Sequence, residues 1–181
     1  MRTLQEIYLD YSFEEGHGDK GTAHTYIEEY DKLLTPYRNN INFLEVGVSH
    51  GESIQMWSEF FNDSTIFGID ITSANIKHLL DNKEFNIIIG DATKESILEL
   101  LPKDIMFDVL IDDGSHLLYH QINTFNIFKS RMKEGGIFII EDVVNIEGVA
   151  PILSGLHTNC EIIDNRHIKD RHDDVLVIYR F

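Results

Sequence analysis

Five short apolar runs, at residues 43–48, 65–69, 85–89, 107–111 and 136–140, alternate with amphipathic stretches of helical length at 53–61, 73–81, 94–101 and 120–132. Strands separated by helices cannot pair through tight hairpins, so this alternation predicts a mostly parallel sheet with right-handed crossovers and helices on both faces. The tail breaks the pattern. Residues 160–164 and 175–180 read as two strands joined by the polar segment 165–174, a hairpin-like ending that places an antiparallel strand on the sheet. Pro36, Pro102 and Pro151 fall at boundaries between these elements, and no internal repeat or low-complexity block intervenes. The expected architecture is one doubly wound α/β domain over all 181 residues, with its core from 41 to 181.

Upstream of the first run, a helical pattern covers about 22–36 and is preceded by Gly16-His17-Gly18-Asp19-Lys20-Gly21, which is too glycine-rich for a continuous helix. Residues 1–36 therefore read either as an N-terminal flap or helical cap over a site, or as a plain surface loop leading into a helix.

Charge narrows the partners. Fifteen Lys and Arg against thirty-one Asp and Glu leave a net charge of −16, which opposes close approach to nucleic-acid phosphates and to anionic membrane surfaces. The single cysteine, Cys160, has no internal disulfide partner, and no apolar run approaches the roughly 20 residues of a membrane span. The opening residues carry no apolar segment of the kind a signal peptide needs. These features lead to the expectation of a soluble, cytoplasmic protein without a nucleic-acid or membrane partner.

The apolar runs end in acids. Phe43-Leu44-Glu45-Val46-Gly47-Val48-Ser49-His50-Gly51-Glu52-Ser53 is a strand breaking into a glycine-containing turn that opens a helix. Glycines at 47 and 51 let backbone approach a ligand, and the new helix offers it unpaired N–H groups. The dinucleotide fingerprint GxGxxG would need glycines at 47, 49 and 52, where Ser49 and Glu52 stand at the last two. Asp70 ends the second run about 20 residues on, where an acid can accept hydrogen bonds from ribose hydroxyls. Asp91, in Gly90-Asp91-Ala92, ends the third. This order of acids around a loose glycine turn resembles class I S-adenosylmethionine-dependent methyltransferases. The resemblance implies a Rossmann-like methyltransferase fold, with a seven-stranded, mostly parallel sheet and an antiparallel C-terminal strand. It also implies cofactor binding by Glu45, Gly47, Ser49, Gly51 and Ser53 at the amino-acid end, Asp70 at the ribose, and Asp91 with Ala92 at the adenine.

The last two runs end in Asp112-Asp113-Gly114-Ser115-His116 and in Glu141-Asp142. Adjacent strands lie about 4.8 Å apart. If these two are parallel neighbours, Asp113, Glu141 and Asp142 converge beside His116, and a hard divalent cation relieves the repulsion among them. With Gly135-Gly136-Ile137-Phe138-Ile139-Ile140 before the second cluster, the pattern resembles the metal-dependent sugar O-methyltransferases that act on glycosylated macrolides, and relatives that go by the name cephalosporin hydroxylase. That resemblance implies Mg²⁺ held by Asp113, Glu141 and Asp142, with His116 as general base. It extends upstream to Asp19, Lys20 and His24, which match the family's early motif and would close over substrate or cofactor. The better-known macrolide enzymes carry additional N-terminal sequence not present in these residues. Asp112 has three readings: orienting the cofactor's amino group, capping the following helix, or joining the metal's outer shell. His120 and Gln121 would line the substrate mouth.

The chemistry is coherent with that assignment. A sugar hydroxyl is a poor nucleophile until its alkoxide is stabilised, a divalent ion chelating two vicinal oxygens supplies that stabilisation, and a histidine titrating near neutrality takes the proton. The expected acceptor is a sugar or glycosylated small molecule, with assembly into a homo-oligomer left open. A catechol-type O-methyltransferase is the enzymatic rival, although that family typically carries lysine where His116 stands. A non-catalytic cofactor-binding domain is the other. Trp57, Met56, Phe60, Phe61, Phe125 and Phe128 read as core, and Arg166, His167, Arg171 and His172 receive no role.

Overall fold

The computed structural model describes residues 2–11 and 18–181, so the Gly16-His17 part of the expected flap lies outside the described residues. The strands are β1 (Asn42–Val46), β2 (Thr65–Asp70), β3 (Phe85–Ile89), β4 (Phe107–Asp112), β5 (Met132–Ile140), β6 (Cys160–Asp164) and β7 (Val175–Arg180). They form one seven-stranded sheet in the order β3-β2-β1-β4-β5-β7-β6. The first five strands pair in parallel, while β7 lies antiparallel between β5 and β6. The doubly wound α/β expectation and the antiparallel C-terminal strand both hold, and β6 and β7 occupy the expected bounds.

The period-2 alternation of the strands sorts two hydrophobic layers. Phe43, Val109, Ile111, Ile137 and Ile139 face α1 (Leu4–Asp10), α2 (Tyr26–Leu34) and α3 (Glu52–Phe60). Leu44, Leu110, Phe138, Ile140 and Tyr179 face α5 (Leu118–Phe128) and α6 (Ile146–Ser154). Trp57, Met56, Phe60, Phe61, Phe125 and Phe128 are all in the core, as expected. No helix among the described residues is long and apolar enough to cross a membrane.

Several helices differ from the sequence pattern. The helix α1 was not anticipated; a capping box between Thr3 and Glu6 starts it, and Leu4, Ile7 and Tyr8 bury its inner face. The expected helix at 73–81 shrinks to α4 (Lys77–Leu80), and 94–101 becomes a 3-10 turn at Glu95–Glu99. Polar side chains compete with the backbone ladder there: Thr72 Oγ1 accepts from the Ala74 amide, and Asp91 Oδ1 from the Thr93 amide. The pattern at 22–36 resolves into α2 and a 3-10 turn at Thr35–Tyr37 that contains Pro36. Pro151 is inside α6 rather than at a boundary; burial of Ile146, Val149 and Leu153 holds that helix despite the missing N–H. A short α7 (Arg166–Lys169) lies in the polar connection.

Strand order reverses between β1 and β4, and their crossovers leave to opposite faces, which opens a crevice beyond their carboxyl ends. Gly47 makes this closure possible. Its φ is +90°, and a Cβ there would lie 1.9 Å from the Asp113 carbonyl oxygen, so the loops after β1 and β4 could not cross with any larger residue.

Candidate active site

The crevice holds two adjoining cavities that share Gly47, Asp70 and Gly114 as walls. One, of about 250 Å³, lies beyond β2 and β3 and is lined by Asp70, Ile71, Asp91, Ala92, Asp112 and His120. The other, of about 380 Å³, lies beyond β1 and β4 toward the N-terminal segment and is lined by Asp19, Lys20, Ser49, Ser53, Asp113 and His116.

The smaller cavity is held by local, mostly backbone, hydrogen bonds. Asp70 Oδ2 accepts from the Val48 and Ser49 amides at 3.0 Å each, tying the turn after β1 to the end of β2. Its Oδ1 accepts from the Thr72 amide at 2.9 Å. Asp91 accepts from the amide and hydroxyl of Thr93, which lowers its pKa. Asp112 is different. It is buried, its Oδ2 has no hydrogen-bond partner among the described residues, and burial pushes its pKa up to about 7. A buried, unpartnered carboxylate oxygen on a cavity wall suits a cationic ligand group.

The larger cavity is floored by side chains brought from far apart in the chain. Lys20 is 3% exposed, and its Nζ donates to Asp113 Oδ2 at 2.5 Å and Glu141 Oε1 at 2.7 Å, with Glu45 Oε1 at 3.7 Å. Burial alone would lower the Lys20 pKa, but Asp113, Glu141 and Glu45 carry it well above the ordinary value. Burial, followed by repulsion from Asp113, raises Glu141 well above a normal carboxyl, and Lys20 opposes that rise. The same two causes raise Asp142. Tyr30 donates to Glu141 Oε1 at 2.6 Å, and Tyr26 to Asp142 Oδ1 at 2.7 Å. His116 Nε2 lies 3.8 Å from Asp142 Oδ2. Ser49, His116 and Asp142 all have positive φ, a conformation disfavoured for residues with side chains and concentrated at functional sites.

Among the described residues, two groups of potential metal-ligating atoms lie within 4.8 Å of one another: Asp113, His116 and Asp142, and Asp19, His24 and Asp142. The resemblance-based trio of Asp113, Glu141 and Asp142 is thus gathered at one sheet edge, but Glu141 is engaged by Lys20 and Tyr30 and is in neither group. Glu45 also departs from the expected cofactor contact. It is fully buried, lines neither cavity, and accepts from Ser53 Oγ at 2.6 Å and Trp57 Nε1 at 3.0 Å; burial lifts its pKa to about 7. Gly51 shapes the turn as the left-handed N-cap of α3 without lining a cavity. Ser115 Oγ meets His120 Nδ1 at 2.5 Å at the mouth of the smaller cavity.

Asp19 is exposed and Lys20 buried on the wall of the larger cavity, while His24 is buried and lines neither cavity. Tyr26, Tyr30 and Asp174 were missed. The spacing of Tyr26 and Tyr30 on one helix face was visible, but nothing in it indicated which strand ends their hydroxyls would meet.

Residues 38–174 match the family model described as "Methyltransferase domain". The chain is 31% identical over 132 residues to demethylmacrocin O-methyltransferase of Streptomyces fradiae, an alignment that covers 68% of this chain and 33% of that protein. It is 32% identical over 132 residues to mycinamicin VI 2''-O-methyltransferase of Micromonospora griseorubida, covering 68% and 32%. The chain therefore spans about a third of the length of the curated relatives it matches. Its fold superposes on the MycE methyltransferase from the mycinamycin biosynthetic pathway, solved in complex with Mg and SAH, with a TM-score of 0.76 over 99% of this chain and 54% of that one, at 20% identity. Matched over most of its length, from ahead of β1 to the approach to β7, the chain belongs to the methyltransferase-domain family.

Proposed function

We propose that the chain carries out S-adenosylmethionine-dependent, divalent-metal-assisted O-methylation of a hydroxyl on a sugar or glycosylated small molecule. The observation that carries this reading is the juxtaposition across Gly47 and Gly114. On one side lies a cavity bearing the ribose- and adenine-type acids Asp70 and Asp91, and on the other the convergent Asp113, His116 and Asp142. The names of the relatives, both O-methyltransferases and one explicitly a 2''-O-methyltransferase of a mycinamicin, support the acceptor class.

In this reading Asp70 and Asp91 receive the nucleoside part of the cofactor, Ala92 borders the adenine, and Asp112 offers its unpartnered oxygen to the cofactor's ammonium group. The bound sulfonium supplies the methyl group. Asp113 and Asp142 would hold a hard divalent cation, with Glu141 beside them as the third carboxylate of the site. The cation, when bound, lowers the pKa of a chelated hydroxyl. His116 stays out of the coordination because oxygen ligands suit such an ion better. It takes the hydroxyl proton at Nε2, and Asp142 stabilises the resulting imidazolium.

Labelled cofactor incubated with free, nucleotide-linked and glycoside-bound sugars, with and without EDTA, tests the proposal. Transfer to a sugar hydroxyl that stops on chelation and returns with Mg²⁺ is the expected result. His116→Ala should lower kcat by about 10²- to 10⁴-fold while cofactor binding persists. Full turnover after verified metal removal would reject the metal role, and preferred transfer to a catechol would reject the acceptor class.

A further inference from the structure

His24 forms a second constellation that the reading above leaves unused. The side chain is fully buried in the turn leading to α2, stacked on the Tyr26 ring at 4.6 Å, yet among the described residues neither ring nitrogen has a hydrogen-bond partner. Its Nε2 faces Asp142 Oδ1 at 3.4 Å and Asp19 Oδ2 at 3.6 Å, and its Nδ1 faces Asp174 Oδ1 at 3.6 Å. These separations exceed ordinary N–H···O bonds. The two at Nε2 match ligands that share an ion: atoms about 2.1 Å from a metal and separated by a tetrahedral angle lie about 3.4 Å apart.

The surroundings are arranged for such a role. Asp174 is fully buried and fixed by the amide and hydroxyl of Thr25, at 3.1 and 2.9 Å. It faces Nδ1 from 3.6 Å, on the side of the ring where a carboxylate–histidine–metal arrangement carries its acceptor. Asp142 offers Oδ1 to the His24 side, where it also accepts from Tyr26, and Oδ2 to the His116 side. Asp19 is 55% exposed and lines the larger cavity, so the cluster has an entry path.

We propose that Asp19, His24 and Asp142 form a divalent-cation site of their own, beside the one assigned to Asp113 and sharing Asp142 with it. An imidazole with two carboxylates selects a borderline ion such as Zn²⁺ or Co²⁺ over Mg²⁺. Three protein ligands leave a coordination position open toward the larger cavity. An ion here gives the Nε2 of His24 a function and fastens the N-terminal segment to the end of β5.

Cobalt(II) titration of the full chain, followed by visible absorption and by metal analysis after desalting, tests this site. Asp19→Asn removes a ligand at an exposed position and should leave the melting temperature of the metal-free protein unchanged. It is expected to weaken one Co²⁺ site at least tenfold and change its absorption band, and His24→Gln should abolish that band. Asp113→Asn should weaken only the other site. Equal Co²⁺ affinity and spectrum in the wild type, Asp19→Asn and His24→Gln would overturn the proposal, even if Asp113→Asn lost an ion and so left the first site standing. Loss in Asp19→Asn with none in Asp113→Asn would support the His24 site and count instead against the metal role proposed for Asp113.

Discussion

The two sides of the crevice are built by different means. Around the smaller cavity, Asp70 and Asp91 are anchored by amides and a hydroxyl within a few residues of themselves or on the adjoining turn. Around the larger one, Lys20, Tyr26 and Tyr30 reach acids 93 to 121 residues away, of which Glu141 and Asp142 are buried and Asp113 half-buried. Local turns hold their acids without tertiary help. The buried cluster exists only while the N-terminal segment is docked, so its charges belong to folding as much as to chemistry. The contrast predicts that substitutions on the acceptor side cost stability first, whereas those on the cofactor side cost binding alone.

The largest effect should come from Lys20→Met. Removing one partner of a buried ion pair leaves uncompensated charge and typically costs about 3–5 kcal/mol. Denaturant unfolding at pH 7 should show a loss of this size, with added Mg²⁺ restoring part of it by neutralising Asp113 and Glu141. A Lys20→Met protein as stable as the wild type would erase the distinction between the two sides.

Asp112 sharpens the comparison as a buried acid on the wall of the smaller cavity. The folded protein retains a proton on it up to about pH 7, whereas the unfolded chain releases it near 3.8. The folded state therefore binds the extra proton between those values. The stability it contributes is complete below pH 3.8 and is lost as pH rises toward 7 and above. Relative to Asp112→Asn, the cofactor-free wild type should lose roughly 3–4 kcal/mol across that window. Parallel stability profiles for the two proteins would mean that the Asp112 carboxyl is solvated after all.

The same contrast explains what was legible in the sequence. Strand-helix alternation is a local signal, and the sheet follows from it because a buried parallel sheet needs apolar runs at that spacing. Asp70 and Asp91 were legible because each ends its own strand and is held there by its own turn. Asp113, His116, Glu141 and Asp142 were legible as a group through the adjacency of β4 and β5. The roles of Lys20, His24, Tyr26 and Tyr30 were not, because they depend on how α2 docks across the carboxyl edge of the sheet, a long-range fact without sequence periodicity. Glu45 misled for a related reason. The strand alternation that sends Leu44 and Val46 to one layer turns Glu45 toward the other, under α3 and away from both cavities.

Tyr30→Phe and Asp91→Ala extend the comparison to smaller effects. The Tyr30 hydroxyl donates to a buried carboxylate, so its removal should cost about 1–3 kcal/mol of stability and leave cofactor affinity unchanged. Asp91 is held by the Thr93 hydroxyl two residues away, and its loss should alter stability by no more than about 0.5 kcal/mol. If it receives the adenine end, however, Asp91→Ala should lose most of the melting-temperature rise that S-adenosylhomocysteine gives the wild type, since ligand stabilisation scales with the logarithm of affinity. Measuring both quantities in both variants crosses the two sides directly. A Tyr30→Phe protein that kept its stability but lost cofactor binding would reverse the assignment of folding and binding roles.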